Sequence, residues 1–256
     1  MGDLLLVSAV ASLSLMAVAW LVSLTIRDAS IVDMIWGFGF VVVAWATYLT
    51  AIEPGTRGLL LTVMVTIWGL RLSGYLVWRN LGKPEDYRYR QMRERSPDWF
   101  WLVSLFKVFL LQGVLIWVIS IPVVVNQASG TDLRWLDLGA VLVWAVGLFF
   151  ETVGDIQLAR FKSRAGSKGR VMDRGLWRYT RHPNYFGDFA AWWGHYLVAL
   201  VGGAWWTIFS PLLMSFLLLR VSGVAMLERT ISSRRPEYED YARRTNAFFP
   251  GPPKGA

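Results

Sequence analysis

Apolar residues fall into seven long runs, at about 4–26, 31–52, 59–78, 99–125, 135–159, 184–201 and 205–227. Each approaches or exceeds the roughly 20 residues an α-helix needs to cross a bilayer. The pattern predicts an all-α, multi-pass membrane bundle of seven transmembrane helices, the sixth being the shortest. The first run has neither a basic start nor a small-residue cleavage site, so it reads as a retained helix and not as a signal peptide.

The polar positions between the runs set an orientation. Lys and Arg crowd the intervals 79–98 and 160–183 and the tail after 227, and Arg27 lies in the first short loop. Of the loop residues on the other side, only Arg57 and Arg134 are basic. The positive-inside rule then predicts an outside N-terminus and a cytoplasmic C-terminus, with a bacterial inner membrane as the expected location. Short loops and the lack of internal repeats predict one domain over 1–256. The tail 234–253, rich in Tyr and Phe, is expected to fold back on the cytoplasmic face.

Composition strengthens the membrane reading. Of 256 residues, 55% are hydrophobic, above the roughly 45–50% of soluble domains, and mean hydropathy is +0.41. The chain has no cysteine, which excludes disulfides, thiolate metal sites and a catalytic thiol. With two histidines, no metal is expected. The net charge of +8 sits between apolar spans, so it points to cytoplasmic loops and a phosphate-bearing ligand rather than to nucleic acid. The bilayer is the expected environment and a monomer the expected state.

Ionisable groups inside spans are costly and usually functional. Asp33 opens the second span; Arg71 and Tyr75, four apart, close the third. Glu151 and Asp155 close the fifth, and Asn184 and Asp188 open the sixth. Each four-residue spacing puts both members on one helix face. All fall within about two turns of the predicted cytoplasmic surface, which outlines a pocket with a basic mouth and a polar floor. Plainer roles stay open. Arg79, Lys107 and Arg220 could snorkel, Asp33 could cap its helix, and Asp155 could pair with Arg160 or Lys162. His195 could bond a neighbouring helix, and the basic runs could be topology signals.

The stretch "GLWRYTRHPNYFGD" (175–188) resembles the signature of membrane sterol reductases and of bacterial relatives of steroid 5α-reductase. "MLERTISSRRPEYEDYARRTNAFFP" resembles their C-terminal pattern, and "ASIVDMIWGFGF" and "WGLRLSGYLVWRN" resemble a bacterial branch of that superfamily. The resemblance implies NADPH-dependent reduction of a carbon–carbon double bond conjugated to a ketone in a steroid or similar membrane lipid. It assigns the cofactor mainly to 79–98 and 151–250 and the lipid mainly to 1–78. By this resemblance Asn184 and Asp188 meet the nicotinamide carboxamide, and Asp155 faces the adenosine part. Asn80, Lys83, Arg160, Lys162, Arg170, Arg178 and Arg181 lie near the phosphates. Tyr179, His182, Tyr185 and Arg234 complete the cofactor set.

The chain departs from the eukaryotic enzymes where they polarise the steroid ketone. The second helix offers only Asp33, and Gly69 stands where a tyrosine is expected. Asp33, carrying a pKa raised by desolvation, and Tyr75 are the candidate donors to the carbonyl oxygen. Arg71 would hold either in place, although a cation beside Asp33 would favour the ionised form. Trp36, Phe38 and Phe40 are expected to receive the lipid. The superfamily also contains isoprenylcysteine methyltransferases with an "RHPxYxG" core, so an S-adenosylmethionine-dependent lipid methyltransferase is the rival enzyme. A transporter or lipid-binding protein is the rival non-enzyme, but the discontinuous helices and inverted repeats of transporters are not legible.

Overall fold

A computed structural model describes residues 1–221, 223–225, 228 and 237–254. Every regular element among them is helical. The elements are α1 (Gly2–Ile26), α2 (Ile31–Thr50), α3 (Gly55–Asn80), α4 (Tyr87–Arg95) and α5 (Phe100–Ile119, wound wider over Leu105–Leu110). They continue with α6 (Ile121–Ser129), α7 (Leu136–Lys162), α8 (Pro183–Val201), α9 (Trp205–Val221) and α10 (Tyr238–Arg244). Five of these, α1, α2, α3, α5 and α7, are long and apolar enough to cross a membrane. The protein is an integral membrane protein. Helices also form at the places of the sixth and seventh runs. However, α8 carries Asn184, Asp188 and His195, and α9 is short.

The fourth run does not continue to 125. Pro122 lacks the N–H that would extend α5, so the helix ends at Ile119 and α6 restarts with proline in its first turn. The basic interval 79–98 is not simply a loop. The Asp86 carboxylate accepts from the Arg88 backbone N–H at 3.0 Å and so caps α4; this satisfies one of the donors a helix start leaves over.

Two compact units divide the described chain: residues 1–134 with 198–210, and residues 135–197 with 211–254. In the first unit α1 is inverted relative to a helix of a water-soluble protein. Its buried stripe includes Ser8, Ser12 and Ser23, while Leu6, Val10, Val18 and Leu21 are exposed. Each of these serines donates to the carbonyl three residues earlier, at 2.8, 3.1 and 2.7 Å. Small side chains that satisfy themselves allow close helix packing, and lipid solvates the apolar side.

The α2–α3 seam explains Gly69. A Cβ on Gly37 would come within 2.7 Å of the Gly69 carbonyl oxygen, and one on Gly69 within 2.5 Å of that of Gly37. Beside this crossing Ser73 Oγ accepts from the Phe38 backbone N–H at 2.8 Å. A tyrosine at 69 would drive the two helices apart. At the other end of α3, buried Arg57 donates to Thr131 Oγ1 at 2.6 Å, and Gln127 Nε2 donates to Thr62 Oγ1 and to the Ala44 carbonyl.

The second unit is built on α7 against α8. Gly147 and Gly154 face Gly187 and its neighbours so closely that a Cβ on Gly187 would lie 2.2 Å from the Glu151 backbone nitrogen. Farther along, Gly194 meets Trp144. The C-terminal segment packs on the stretch leading into α8. Thr180 Oγ1 donates to the Phe248 carbonyl at 2.6 Å, the Arg181 N–H to the Asn246 carbonyl at 2.9 Å, and the Gly251 N–H to the Tyr179 carbonyl at 3.2 Å. Phe150, Phe186, Phe189, Phe248 and Phe249 pack edge-to-face around this junction.

Candidate functional site

Asp33, in the first turn of α2, is clamped by α4. Arg88 Nη2 donates to its Oδ2 at 2.6 Å and the Tyr89 hydroxyl to its Oδ1 at 2.8 Å. Arg88 also donates through Nε to Asp86 at 2.9 Å. Glu85 binds the Ala29 backbone N–H and Arg93 at 2.8 Å each, and Arg93 reaches the Arg27 carbonyl. Burial pulls the Arg88 guanidinium down, but the charges of Asp33 and Asp86 outweigh it and the net shift is upward. Burial raises the Tyr89 phenol, and Asp33 raises it further. Asp86 goes below the usual carboxylate range because its bonds to Arg88 outweigh burial.

Asp33 therefore accepts on both oxygens and does not stand as the proton-bearing donor expected of it. The sequence reading missed Arg88 and Tyr89. The available signal was the capping aspartate followed by "YRY", which places Arg88 and Tyr89 side by side on one short helix.

Other candidates of the first unit have local partners. Tyr75 packs on Trp78 with the Arg79 guanidinium over its ring. Arg71 lies one turn earlier, half-buried. Asn80 accepts from Arg79 at 3.1 Å, and Lys83 is exposed. Phe38 is exposed, and Trp36 packs on Phe40. Phe40 is fully buried between Trp36 and Trp68, so it is core packing and not a surface that receives a lipid.

In the second unit, the α7–α8 crossing joins two residues that the sequence reading separated by 29 positions. Asn184 Nδ2 donates to Asp155 Oδ1 at 3.1 Å. A carboxylate only accepts, so the amide nitrogen must face it. That leaves Asn184 Oδ1 buried and without a hydrogen-bond partner among the described residues. Asp188 lies one turn further on α8, and buried Glu151 lies one turn from Asp155 on α7. Trp177 Nε1 donates to the Gly154 carbonyl at 3.1 Å, and the Leu176 N–H to Gln157 Oε1 at 3.0 Å. These bonds hold the 175–178 turn against α7. His195 is fully buried between Trp192 and Trp144.

Arg181 and His182 converge on Glu228, at 3.3 and 3.1 Å, and the Tyr238 hydroxyl donates to the same oxygen at 3.3 Å. The His182 bond, then the Arg181 charge against opposing burial, hold the Glu228 carboxyl below its ordinary value. Burial and the Glu228 charge push the Tyr238 phenol up to about 12. Tyr185 packs on the His182 ring. Arg160, Lys162, Arg170, Arg178 and Tyr179 are exposed. Arg234 lies outside the described residues. No cluster of three or more His, Asp or Glu suited to a metal occurs among the described residues.

An uncharacterized protein of Schizosaccharomyces pombe is 24% identical to this chain over 265 residues, covering 91% of this chain and 76% of that protein. The nickel-cobalt-cadmium resistance protein NccN of Alcaligenes xylosoxydans xylosoxydans is 29% identical over 141 residues, covering 54% of this chain and 62% of that protein. No solved structure matches. A family model spans residues 19–245, which takes in α2 to α10 with all three polar clusters, and the chain belongs to that family, described as Protein of unknown function (DUF1295).

Proposed function

We propose that this protein is an NADPH-dependent membrane reductase acting on a carbon–carbon double bond conjugated to a ketone in a steroid or similar lipid. One observation carries the reading: the buried Asn184 Oδ1 beside Asp155, without a hydrogen-bond partner among the described residues. A buried acceptor without a donor costs about 1–3 kcal/mol, and a ligand N–H removes that cost. A carboxamide offers two such hydrogens and one carbonyl. Asn184 and Asp188 would hold it from one helix face. When bound, NADPH supplies a hydride.

The exposed Arg160 and Lys162, in the last turn of α7, and the exposed Arg170, in the segment that follows, would pair with its phosphates. The carbonyl of the substrate needs a donor that stabilises the developing oxyanion. Asp33 accepts on both oxygens, so this role is assigned to Tyr75. We place the basic segments in the cytoplasm, with α8 and α9 completing seven spans in a bacterial inner membrane.

Titration of purified protein with NADPH and with S-adenosylmethionine, followed by melting temperature, tests the reading. A ligand at 100 times its dissociation constant stabilises by about 2.7 kcal/mol. NADPH should raise the melting temperature and S-adenosylmethionine should not. Asn184→Leu and Asp188→Ala should each weaken NADPH about tenfold or more, the worth of one hydrogen bond at this site. A shift with S-adenosylmethionine alone would move the assignment to a lipid methyltransferase. No shift with either would overturn the enzyme reading.

A further inference from the structure

The second unit contains a cleft of about 520 Å³ between the 173–178 turn and the C-terminal segment 241–254. Four cations line it, Arg174, Arg178, Arg244 and Lys254, against a single acid, Asp173. Among the described residues, Asp173 forms its ion pair with Arg244, at a loose 3.9 Å. Arg174, Arg178 and Lys254 make no side-chain ion pair or hydrogen bond to a described residue. Four like charges around one concavity repel one another, and a dianion between them reverses the sign of that energy.

The walls are built and not a loose charge run. The floor is fixed by the Tyr241 hydroxyl, which donates to the Trp177 carbonyl at 2.6 Å; both side chains are buried. Burial, then the neighbouring Tyr238 and Asp173, push the Tyr241 phenol up, so it remains a donor. Thr245 is 4% exposed and adds a polar wall. Lys254 and Asn246 are pinned where the cleft needs them. The Lys254 N–H donates to the Arg244 carbonyl at 2.9 Å, and Asn246 Nδ2 donates to the Tyr179 and Pro252 carbonyls. Lys254 is thus held over the opening by backbone bonds, close to Arg244 and not trailing in solvent.

We propose that this cleft binds a phosphate group, separately from the Asn184 site. Guanidinium forks match phosphate oxygens bidentately, and an ammonium adds a point charge. A tethered source is the headgroup of an anionic lipid, whose surface favours basic juxtamembrane clusters. A free source is a soluble phosphate or phosphate ester. The chemistry of recognition is the same for both.

The full chain in zwitterionic detergent distinguishes the sources. Dioctanoyl phosphatidylglycerol, dioctanoyl phosphatidylcholine and inorganic pyrophosphate are titrated separately and melting temperature is read. Phosphatidylglycerol or pyrophosphate should stabilise the wild type, and phosphatidylcholine should not. Stabilisation by phosphatidylglycerol alone identifies the lipid source, and by pyrophosphate alone the soluble one; stabilisation by both identifies a site open to either.

Arg174→Gln and Lys254→Gln, both at exposed positions, should each weaken the effective probe about five- to tenfold, the range for a charge-assisted contact open to solvent. Both should retain the wild-type response to NADPH, which separates this cleft from the Asn184 site. Arg95→Gln, an exposed arginine of the first unit, should bind as wild type. Failure of both phosphate probes to bind, wild-type affinity in the two cleft variants, or an equal loss in Arg95→Gln would overturn the proposal.

Discussion

Gly187→Ala tests the structural basis of the second unit. An added Cβ would stand 2.2 Å from the Glu151 nitrogen, 2.5 Å from the Gly147 carbonyl oxygen and 2.6 Å from the Glu151 Cβ, where ordinary contact begins near 3.4 Å. Two of these atoms are backbone, so no rotamer change relieves the clash. The helices must part locally by about 1 Å, which forfeits up to half of each dispersion contact along the seam. Overpacking of this kind costs about 3 kcal/mol. At about 2–4 °C per kcal/mol for a chain of this size, the melting temperature should fall by roughly 6–12 °C.

The same parting takes the Asn184–Asp155 bond from 3.1 Å beyond hydrogen-bond reach, so on the proposed function NADPH affinity should fall with stability. Gly139→Ala on α7 is the control. Nothing lies within 4 Å of its added Cβ, and the change should be neutral or stabilising by about 0.5–1 kcal/mol from helix propensity. Thermal unfolding in detergent and NADPH titration read both variants. If Gly187→Ala melted with the wild type, or if Gly139→Ala were equally damaging, the seam would not be what holds α7 to α8.

In the first unit, Tyr89→Phe should cost about 1 kcal/mol, and Arg88→Gln about 1–2 kcal/mol after allowing for partial exposure. Each would show as a lower melting temperature, and a double-mutant cycle with Asp33→Asn should show strong coupling for each. In the second unit, the folded-state carboxyl of Glu228 lies below its ordinary value near 4.5. Its contribution is therefore complete above that pH and is lost as pH falls through the lowered value. Wild-type melting temperature should drop more steeply than that of Glu228→Gln below pH 4.5, and a parallel drop would detach Glu228 from acid stability.

The apolar runs by themselves determined that this is a helical membrane protein and where most helices lie. A bilayer imposes a length and a composition that a one-dimensional pattern carries directly. The four-residue spacings of Glu151 with Asp155 and of Asn184 with Asp188 were legible for the same reason, since helix periodicity is local. The break of α5 before Pro122 was not read from the sequence, because the apolar run on both sides concealed it.

Pairings between elements were decided only in three dimensions. Asp33 meets Arg88 and Tyr89 across 55 and 56 positions, and Asn184 meets Asp155 across 29. Whether a carboxylate opens a helix as a cap, a catalyst or a clamped acceptor depends on which donors packing brings to it, and one chain position looks the same in all three cases. Glycine carries the same lesson. Gly69 reads in the sequence as the loss of a tyrosine, yet in the folded protein it is the condition for α2 and α3 to touch, because only the facing backbone reveals that a Cβ has no room.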